Sequence, residues 1–218
     1  MKVLFIIVGI LTQIDTFSQS QVSVDSLSSE ICHSIANDKS MDDSARITNS
    51  FYSHTGRYIV NIPENKREDF LTRVFLRLQI TCELFAKILE GKSPKNESWR
   101  TVSEIPASKL SSIECSDFFR IKHYRYVEPS GDTTRLTIVN GYWIDTMKDG
   151  TYSKLKLEKK TDSDFELSFE KSNNEIKSKL SRPGDKYFYR LVERTQGYYV
   201  LCVGVLAINS YALINVYY

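Results

Sequence analysis

The sequence predicts an α+β protein in which an N-terminal helical segment precedes an antiparallel β meander that curls toward a barrel. Up to about residue 91, apolar residues recur at steps of three and four, as on one face of an α-helix. From Phe118 onward the apolar period is two, and clusters of turn-forming residues separate the segments. These observations divide the chain into a helical region at 19–91, a linker at 92–114 and an antiparallel β domain at 115–218.

The helical region is expected to begin with two amphipathic segments. The apolar residues of the first lie on one helical face, at Val24, Leu27, Ile31 and Ile35. The second is expected to start at a capping-box pattern at 40–43 and to continue through Phe51.

The strongest helical pattern covers 66–90 without interruption. Asn65 is the expected N-cap, and Gly91 stands where a left-handed residue commonly ends a helix. A second apolar row widens the face, so this helix is expected to be buried on more than one side.

The β domain is expected to contain six strand segments. The Asp149-Gly150 pair is its strongest hairpin signal. Residues 195–218 carry no charge, which leaves a membrane helix as the alternative to a buried β-hairpin. The Tyr-rich and β-branched composition favours the hairpin, with its turn near Asn209-Ser210. The expected strands are 121–127, 135–143, 152–158, 165–170, 186–193 and a segment from 198 onward.

Residues 1–18 have the pattern of a secretory signal peptide. Lys2 provides the charged start, 3–11 form a short apolar run, and Thr16 and Ser18 provide small residues before the cleavage point. A buried N-terminal strand is the alternative. Export predicts a periplasmic or extracellular protein whose mature chain does not span the membrane, in a compartment where cysteines oxidise.

A disulfide is expected between Cys32 and Cys82. Each lies on or beside the apolar face of an expected helix, and two such faces must pack together to be buried. Two buried thiols are the alternative. Cys115 and Cys202 are expected to be free or bonded within the sheet, with Cys202 favoured as free.

Composition and motifs argue against several function classes. The 218 residues carry a net charge of +2, so no strong positive field predicts a nucleic-acid partner. The chain has three histidines and four cysteines, and it lacks the familiar nucleophile, zinc and phosphate-loop motifs. No cofactor, metal site or catalytic residue is therefore predicted, and an enzyme is the less favoured interpretation.

Several short motifs together resemble a group of exported bacterial proteins. They are the Phe-Ser-Gln end of the signal, Cys115-Ser116-Asp117-Phe118, 149–152 and Pro183-Gly184-Asp185. In this order they resemble small secreted proteins of the Bacteroidota type, which have no assigned activity. The resemblance implies an exported protein whose β half, from Cys115 to Tyr218, is similar to a lipocalin-like barrel.

The sequence therefore predicts a non-catalytic module that binds a small apolar or amphipathic ligand in the β domain. A structural or protein-interaction module of the cell envelope, with an unknown protein partner, is the alternative, and an enzyme of unfamiliar type is the third. Small barrels line their interior with alternate strand residues, so aromatic side chains are the ligand-binding candidates, unless they simply fill the core. These candidates are Phe119, Tyr124, Tyr126, Trp143, Phe165, Phe169 and Tyr187.

Overall fold

The computed structural model describes residues 15–39, 42–91 and 98–218, and four helices come first in these ranges. The predicted signal peptide at 1–18 lies outside the described residues, apart from the backbone of 15–18 at the start of the first helix. The four helices are α1 (Asp15–Asn37), α2 (Asp43–Ile59), α3 (Glu64–Thr81) and α4 (Glu83–Glu90).

The remainder of the described chain is mainly β structure. Two short helices, α5 (Ser112–Arg120) and α6 (Glu175–Leu180), and a 3₁₀ turn at Leu206–Ile208 lie between its strands. The strands are β1 (Trp99–Val102), β2 (His123–Val127), β3 (Thr133–Val139), β4 (Tyr142–Thr146), β5 (Tyr152–Lys159), β6 (Asp164–Ser172), β7 (Lys186–Thr195), β8 (Tyr198–Val205) and β9 (Ser210–Tyr217).

Strands β2 to β9 form a closed antiparallel barrel of eight strands. Each pairs with the next, and β9 closes the barrel by pairing with β2 where Tyr217 lies opposite Arg125. β1 is an additional strand that pairs with residues 211–214 of β9, with Trp99 opposite Ile214. The predicted α+β class and the antiparallel meander curling into a barrel are confirmed.

Alternation along the strands produces the barrel core. In β5, Ser153 and Leu155 point inward, while Lys154 and Lys156 lie on the outer face. Helix α5 covers one end of the barrel and inserts Phe118, which has no exposed surface. The core therefore combines inward strand residues with a plug supplied by a helix.

Two backbone contacts hold α5 at that end. The Tyr124 hydroxyl donates to the Phe118 carbonyl at 2.7 Å, and the Tyr199 hydroxyl donates to the Glu114 carbonyl at 3.2 Å. A capping box between Ser111 and Glu114 starts the helix.

The four N-terminal helices form a layer with its own apolar core. Leu27, Ile31 and Ile35 of α1 are fully buried, as the sequence pattern predicted, and they pack with Leu78 and Phe85 of α3 and α4. Because none of these helices buries its apolar face alone, the layer depends on their mutual packing.

The predicted disulfide between Cys32 and Cys82 is confirmed. Its Cα atoms are 5.6 Å apart, and the bond joins α1 to the junction between α3 and α4. Cys115 and Cys202 are both buried and free, which confirms the expectation for Cys202. Cys202 packs in a small cluster on the outside of the barrel, covered by Val102 and Ile105.

The prediction of one helix over 66–90 is wrong, because the chain breaks at Cys82. Cys82 has an extended backbone, with φ −127° and ψ 105°, and the helix resumes as α4. The expected caps also differ. The N-cap position is Pro63 rather than Asn65, and Gly91 has a right-handed φ of −60°. For α2 the cap is Asp42, which accepts from the amides of Ser44 and Ala45.

The prediction of one strand over 135–143 is also wrong. A turn at Asn140-Gly141 divides it into β3 and β4, and both turn residues have positive φ, of 49° and 76°. This is the backbone of a type I′ hairpin turn, for which Asn-Gly is the preferred pair. The hairpin restarts the inward and outward alternation, so Trp143 and Asp145 both face the interior.

Two further elements lie where the sequence predicted none. β1 lies within the predicted linker at 92–114, and α6 lies between the strands predicted at 165–170 and 186–193. The uncharged tail forms β8 and β9, which confirms the predicted β structure there. Among the described residues, no helix combines the length and the apolar character that a membrane crossing needs.

Candidate functional site

The predicted ligand-binding aromatics all gather in or against the barrel core. Five are buried, and Phe119 and Tyr187 are half-buried against them. The rings pack closely on one another: Phe165 lies 5.9 Å from Trp143 and 5.4 Å from Phe119, between ring centroids. Phe118, which the sequence analysis did not include, adds a ring that stacks on Tyr124 at 4.8 Å. The buried five are Tyr124, Tyr126, Trp143, Phe165 and Phe169.

A buried carboxyl group lies among these rings, in the half of the barrel that faces α6. Asp145 accepts a hydrogen bond of 2.9 Å from the Trp143 indole nitrogen, and the Tyr126 hydroxyl also bonds to it. Burial raises the pKa of Asp145 from 3.8 to about 7, although the Lys177 ammonium opposes that rise. Asp145 therefore titrates near neutral pH.

A second carboxylate, Glu128, connects this interior to α6. It accepts hydrogen bonds from Thr134 at 3.1 Å and from Tyr126 at 3.4 Å. Lys177 of α6 bonds to both of its oxygens, at 3.1 and 3.2 Å. α6 is thus attached over this end of the barrel by a charge-assisted contact to an otherwise buried network.

A groove of about 850 Å³ lies between the helical layer and the barrel. We call it the interlayer groove. Its walls come from the end of α2, the first turns of α3, the end of β6, and α6 with the turn that follows it. Its apolar lining consists of Val24, Tyr58, Ile62, Phe70, Phe169 and Pro183.

Cationic side chains outnumber acidic ones around the interlayer groove, by five to two. The acidic members are Asp69 and Glu170. The cationic members are Lys66, Arg73, Lys171, Lys179 and Arg182.

Helical geometry explains how α3 supplies its side of the groove. Lys66, Asp69, Phe70 and Arg73 follow steps of three and four, so they share one face of the helix. Asp69 accepts from Arg73 at 2.7 Å and pairs with Lys179 at 2.8 Å. The hydrogen bond from Arg73, supported by Lys179, lowers the pKa of Asp69, so this carboxylate stays ionised at neutral pH.

Lys66 and Lys171 differ from the other cations of the groove. Asp69 is shared by Arg73 and Lys179, and Arg182 pairs with Asp25. Within the described ranges, neither of these two lysines has a carboxylate at ion-pair distance, and both are exposed. Judged by the described residues, these two ammonium groups are therefore the positive charges of the groove that lack an ion-pair partner.

Arg77, one turn beyond Arg73, fixes the two walls relative to each other. Its guanidinium is nearly buried and donates to Asp25 of α1 at 2.9 Å and to Asp185, just before β7, at 3.1 Å. It also donates to the Leu180 carbonyl of α6 at 3.3 Å. The interlayer groove is therefore built on a fixed contact between the two layers.

A second groove, of about 950 Å³, lies at the C-terminal end of α3, against α4, β1 and the β8–β9 hairpin. Its lining is mostly apolar and includes Ile80, Leu89, Trp99 and Tyr211. Its charged members are Lys87, Glu90 and Arg100, so it lacks the concentration of cations found in the interlayer groove.

The interlayer groove was not predicted from the sequence. Its lysines and arginines fall into two groups, near residues 70 and 175, which the fold brings together. The available signal was the one-face spacing of Lys66, Phe70 and Arg73, and it does not reveal the opposite wall. In the part of the chain that the structure describes, no three potential metal ligands are grouped together.

Comparisons with known proteins identify no relative. No family model, no curated protein and no solved structure matches this chain.

Proposed function

We propose that this protein is an exported, non-catalytic binding protein whose ligand is an amphipathic anion held in the interlayer groove. Export rests on the signal-like pattern at 1–18, and the Cys32–Cys82 disulfide is compatible with an oxidising compartment. The lipocalin-like character implied by the resemblance belongs to the same proposal, as does a periplasmic or extracellular location.

One observation carries the proposal, namely the combination of an apolar lining with a surplus of positive charge in one groove. A hydrocarbon or ring system placed on Tyr58, Ile62 and Phe70 leaves water, and each 100 Å² of apolar ligand surface so buried contributes about 2.5 kcal/mol. A carboxylate, sulfate or phosphate on the same molecule is then attracted to the free ammonium groups of Lys66 and Lys171.

The packed interior of the barrel favours a site outside it. Trp143 and Phe165 have almost no exposed surface, and Phe118 of α5 is buried with them in the interior of the barrel. The interlayer groove needs no displacement of these rings. It still takes one wall from the β domain, through Phe169, Lys171 and the residues around α6.

The test uses the mature chain, residues 19–218, and a dansyl-labelled medium-chain fatty acid as an amphipathic anion. We expect saturable binding at one site. Lys66→Glu/Lys171→Glu should weaken it by about tenfold or more, since it replaces two attractions with two repulsions. The uncharged alcohol of the same chain length should bind more weakly than the acid.

Lys39→Glu/Lys156→Glu is the matched control, because it makes the same change of charge at two exposed lysines outside the groove. It should bind the fatty acid as the wild type does. Equal losses in the two double variants would show a general charge effect, and absence of saturable binding in the wild type would overturn the proposal.

A further inference from the structure

Six outward-facing residues form a continuous row across the outside of the barrel. Strand register places them as successive cross-strand neighbours on β8, β9, β2, β3, β4 and β5, along a path of about 24 Å that follows the curved outside of the barrel. We call this row the outer strip. Its members, in spatial order, are Tyr198, Tyr217, Arg125, Arg135, Thr146 and Tyr152.

Two arginines lie directly opposite each other at the centre of the outer strip. Arg125 and Arg135 are cross-strand partners, and both are exposed. Like charges in directly opposed positions destabilise a sheet. Within the described residues no carboxylate lies at ion-pair distance from either guanidinium, so no salt bridge in these parts of the chain offsets the repulsion.

Two tyrosine rings lie on one side of the arginine pair, next to Arg125. The Arg125 guanidinium lies 6.0 Å from the centre of the Tyr217 ring, and the Tyr217 and Tyr198 rings are 5.3 Å apart. These tyrosines are half-buried, so their rings have fixed positions and still face solvent. A tyrosine ring offers a broad apolar face with a polar tip, which suits the flat faces of sugar rings.

The geometry points to the outer strip as a binding site for an acidic saccharide. A carboxylate or sulfate group lies between Arg125 and Arg135, and a sugar ring lies on Tyr217. Guanidinium groups match both anions through paired hydrogen bonds, and one bound anion removes the repulsion between the two arginines. The Tyr217 and Tyr198 rings continue the row from the arginine pair, which suits a short saccharide chain that carries an acidic group.

A nucleic acid is the less favoured occupant of the strip. Nucleic acids bring one phosphate per nucleotide, and proteins that bind them commonly track the backbone with an extended basic groove. The strip has two cations, and the whole chain has a net charge of only +2. None of the strip residues lines the interlayer groove, so the two proposals stand or fall separately.

The test measures binding of two probes, a short oligogalacturonate and a heparin-derived oligosaccharide, to the mature chain by calorimetry at low salt. Arg125→Gln/Arg135→Gln should weaken binding of both by about tenfold or more, because it removes the charge-assisted contacts. Tyr217→Ala should weaken saccharide binding while leaving both arginines in place.

Thermal melting without saccharide separates binding from folding. Since the arginine pair is repulsive, the double glutamine variant should melt at the same temperature as the wild type or higher. Lys39→Gln/Lys156→Gln removes two charges elsewhere and should leave saccharide binding unchanged. The proposal fails if the control loses as much affinity, if the arginine variant binds normally or melts lower, or if oligothymidine of equal charge binds as tightly as the saccharides.

Discussion

Asp145 shows how one position in a strand sets the chemistry of a side chain. Because Trp143 faces the core, alternation forces the residue two positions on to face the core as well. The carboxyl keeps a donor from the Trp143 indole, but it loses its hydration, and its pKa rises to about 7.

This raised pKa makes a prediction about stability and pH. Between about pH 4 and pH 7, Asp145 ionises in the unfolded chain while it stays protonated in the folded one. Its contribution should therefore lower the free energy of unfolding as pH rises through this window and become constant above it. The change from 3.8 to about 7 corresponds to about 4 kcal/mol.

Asp145→Asn is the variant that isolates this effect. Asparagine keeps an oxygen for the Trp143 indole and does not titrate. The difference in the free energy of unfolding between wild type and variant, from urea titrations at several pH values, should change in favour of the variant as pH rises. Asp132→Asn changes an exposed aspartate and should leave that pH dependence as it is. A constant difference between wild type and Asp145→Asn would contradict the assignment.

At the scale of elements, the sequence predicted periodic segments well and their interruptions poorly. The face of α1 was correct because Leu27, Ile31 and Ile35 follow helical spacing and nothing interrupts them. The break at Cys82 has no local signal, since neither glycine nor proline lies there. It is where the disulfide holds the chain against α1, a tertiary contact that outweighs helix propensity.

The Asn140-Gly141 turn is a different kind of failure, because its signal was present. Asn-Gly is the preferred pair of a type I′ turn, yet apolar residues on both sides favoured one longer strand. The missed turn also changes which side chains face the interior of the barrel. A strand through 135–143 places Arg135 and Trp143 on the same face, whereas the turn puts Trp143 and Asp145 inside and leaves Arg135 outside.

The disulfide makes a prediction at the scale of the helical layer. It closes a loop between residues separated by 50 positions, so in the chain-entropy model it contributes about 4 kcal/mol to stability. Cys32→Ser/Cys82→Ser should lower the free energy of unfolding by about that amount, measured by urea denaturation followed by circular dichroism at 222 nm.

The two free cysteines provide the control for this experiment. Cys115→Ser and Cys202→Ser change buried thiols without opening a loop, and each replaces a small apolar contact by a hydroxyl. Treatment of the wild type with a mild reductant should lower its free energy of unfolding by the same amount as Cys32→Ser/Cys82→Ser does. The reductant should not change the stability of that double variant. If reductant leaves wild-type stability unchanged, the bond does not support the layer.

At the scale of the whole molecule, the sequence predicted the class but not the assembly. The change of apolar period locates helices and sheet because each element carries its own pattern. The closure by α5 and the interlayer groove depend on which elements meet, and no local pattern specifies that. Lys66 and Lys171 are 105 positions apart in the chain and line one groove.

Arg77 is the main polar contact between the two layers. It is nearly buried, with 7 % of its surface exposed, and it ties Asp25 of the helical layer to Asp185 and the Leu180 carbonyl beside the barrel. Breaking a fully buried ion pair commonly costs about 3–5 kcal/mol, and the loss of Arg77 should cost less, because Asp25 is 44% exposed and keeps Arg182 as a partner.

Arg77→Met should therefore weaken the contact between the layers more than it weakens either layer alone. Trp143 lies in the barrel core and Trp99 of β1 packs against that core, so tryptophan fluorescence reports unfolding of the barrel, while circular dichroism at 222 nm reports mainly the helices. In the wild type the two signals should change at one urea concentration. In Arg77→Met the helical signal should change first, since the helical layer loses its anchor and its smaller core opens at lower denaturant.

Arg73→Met removes an exposed arginine one turn away and should keep the two transitions together. Coincident transitions with an unchanged midpoint in Arg77→Met would mean that apolar packing between the layers, rather than this charge network, makes the molecule unfold as one unit.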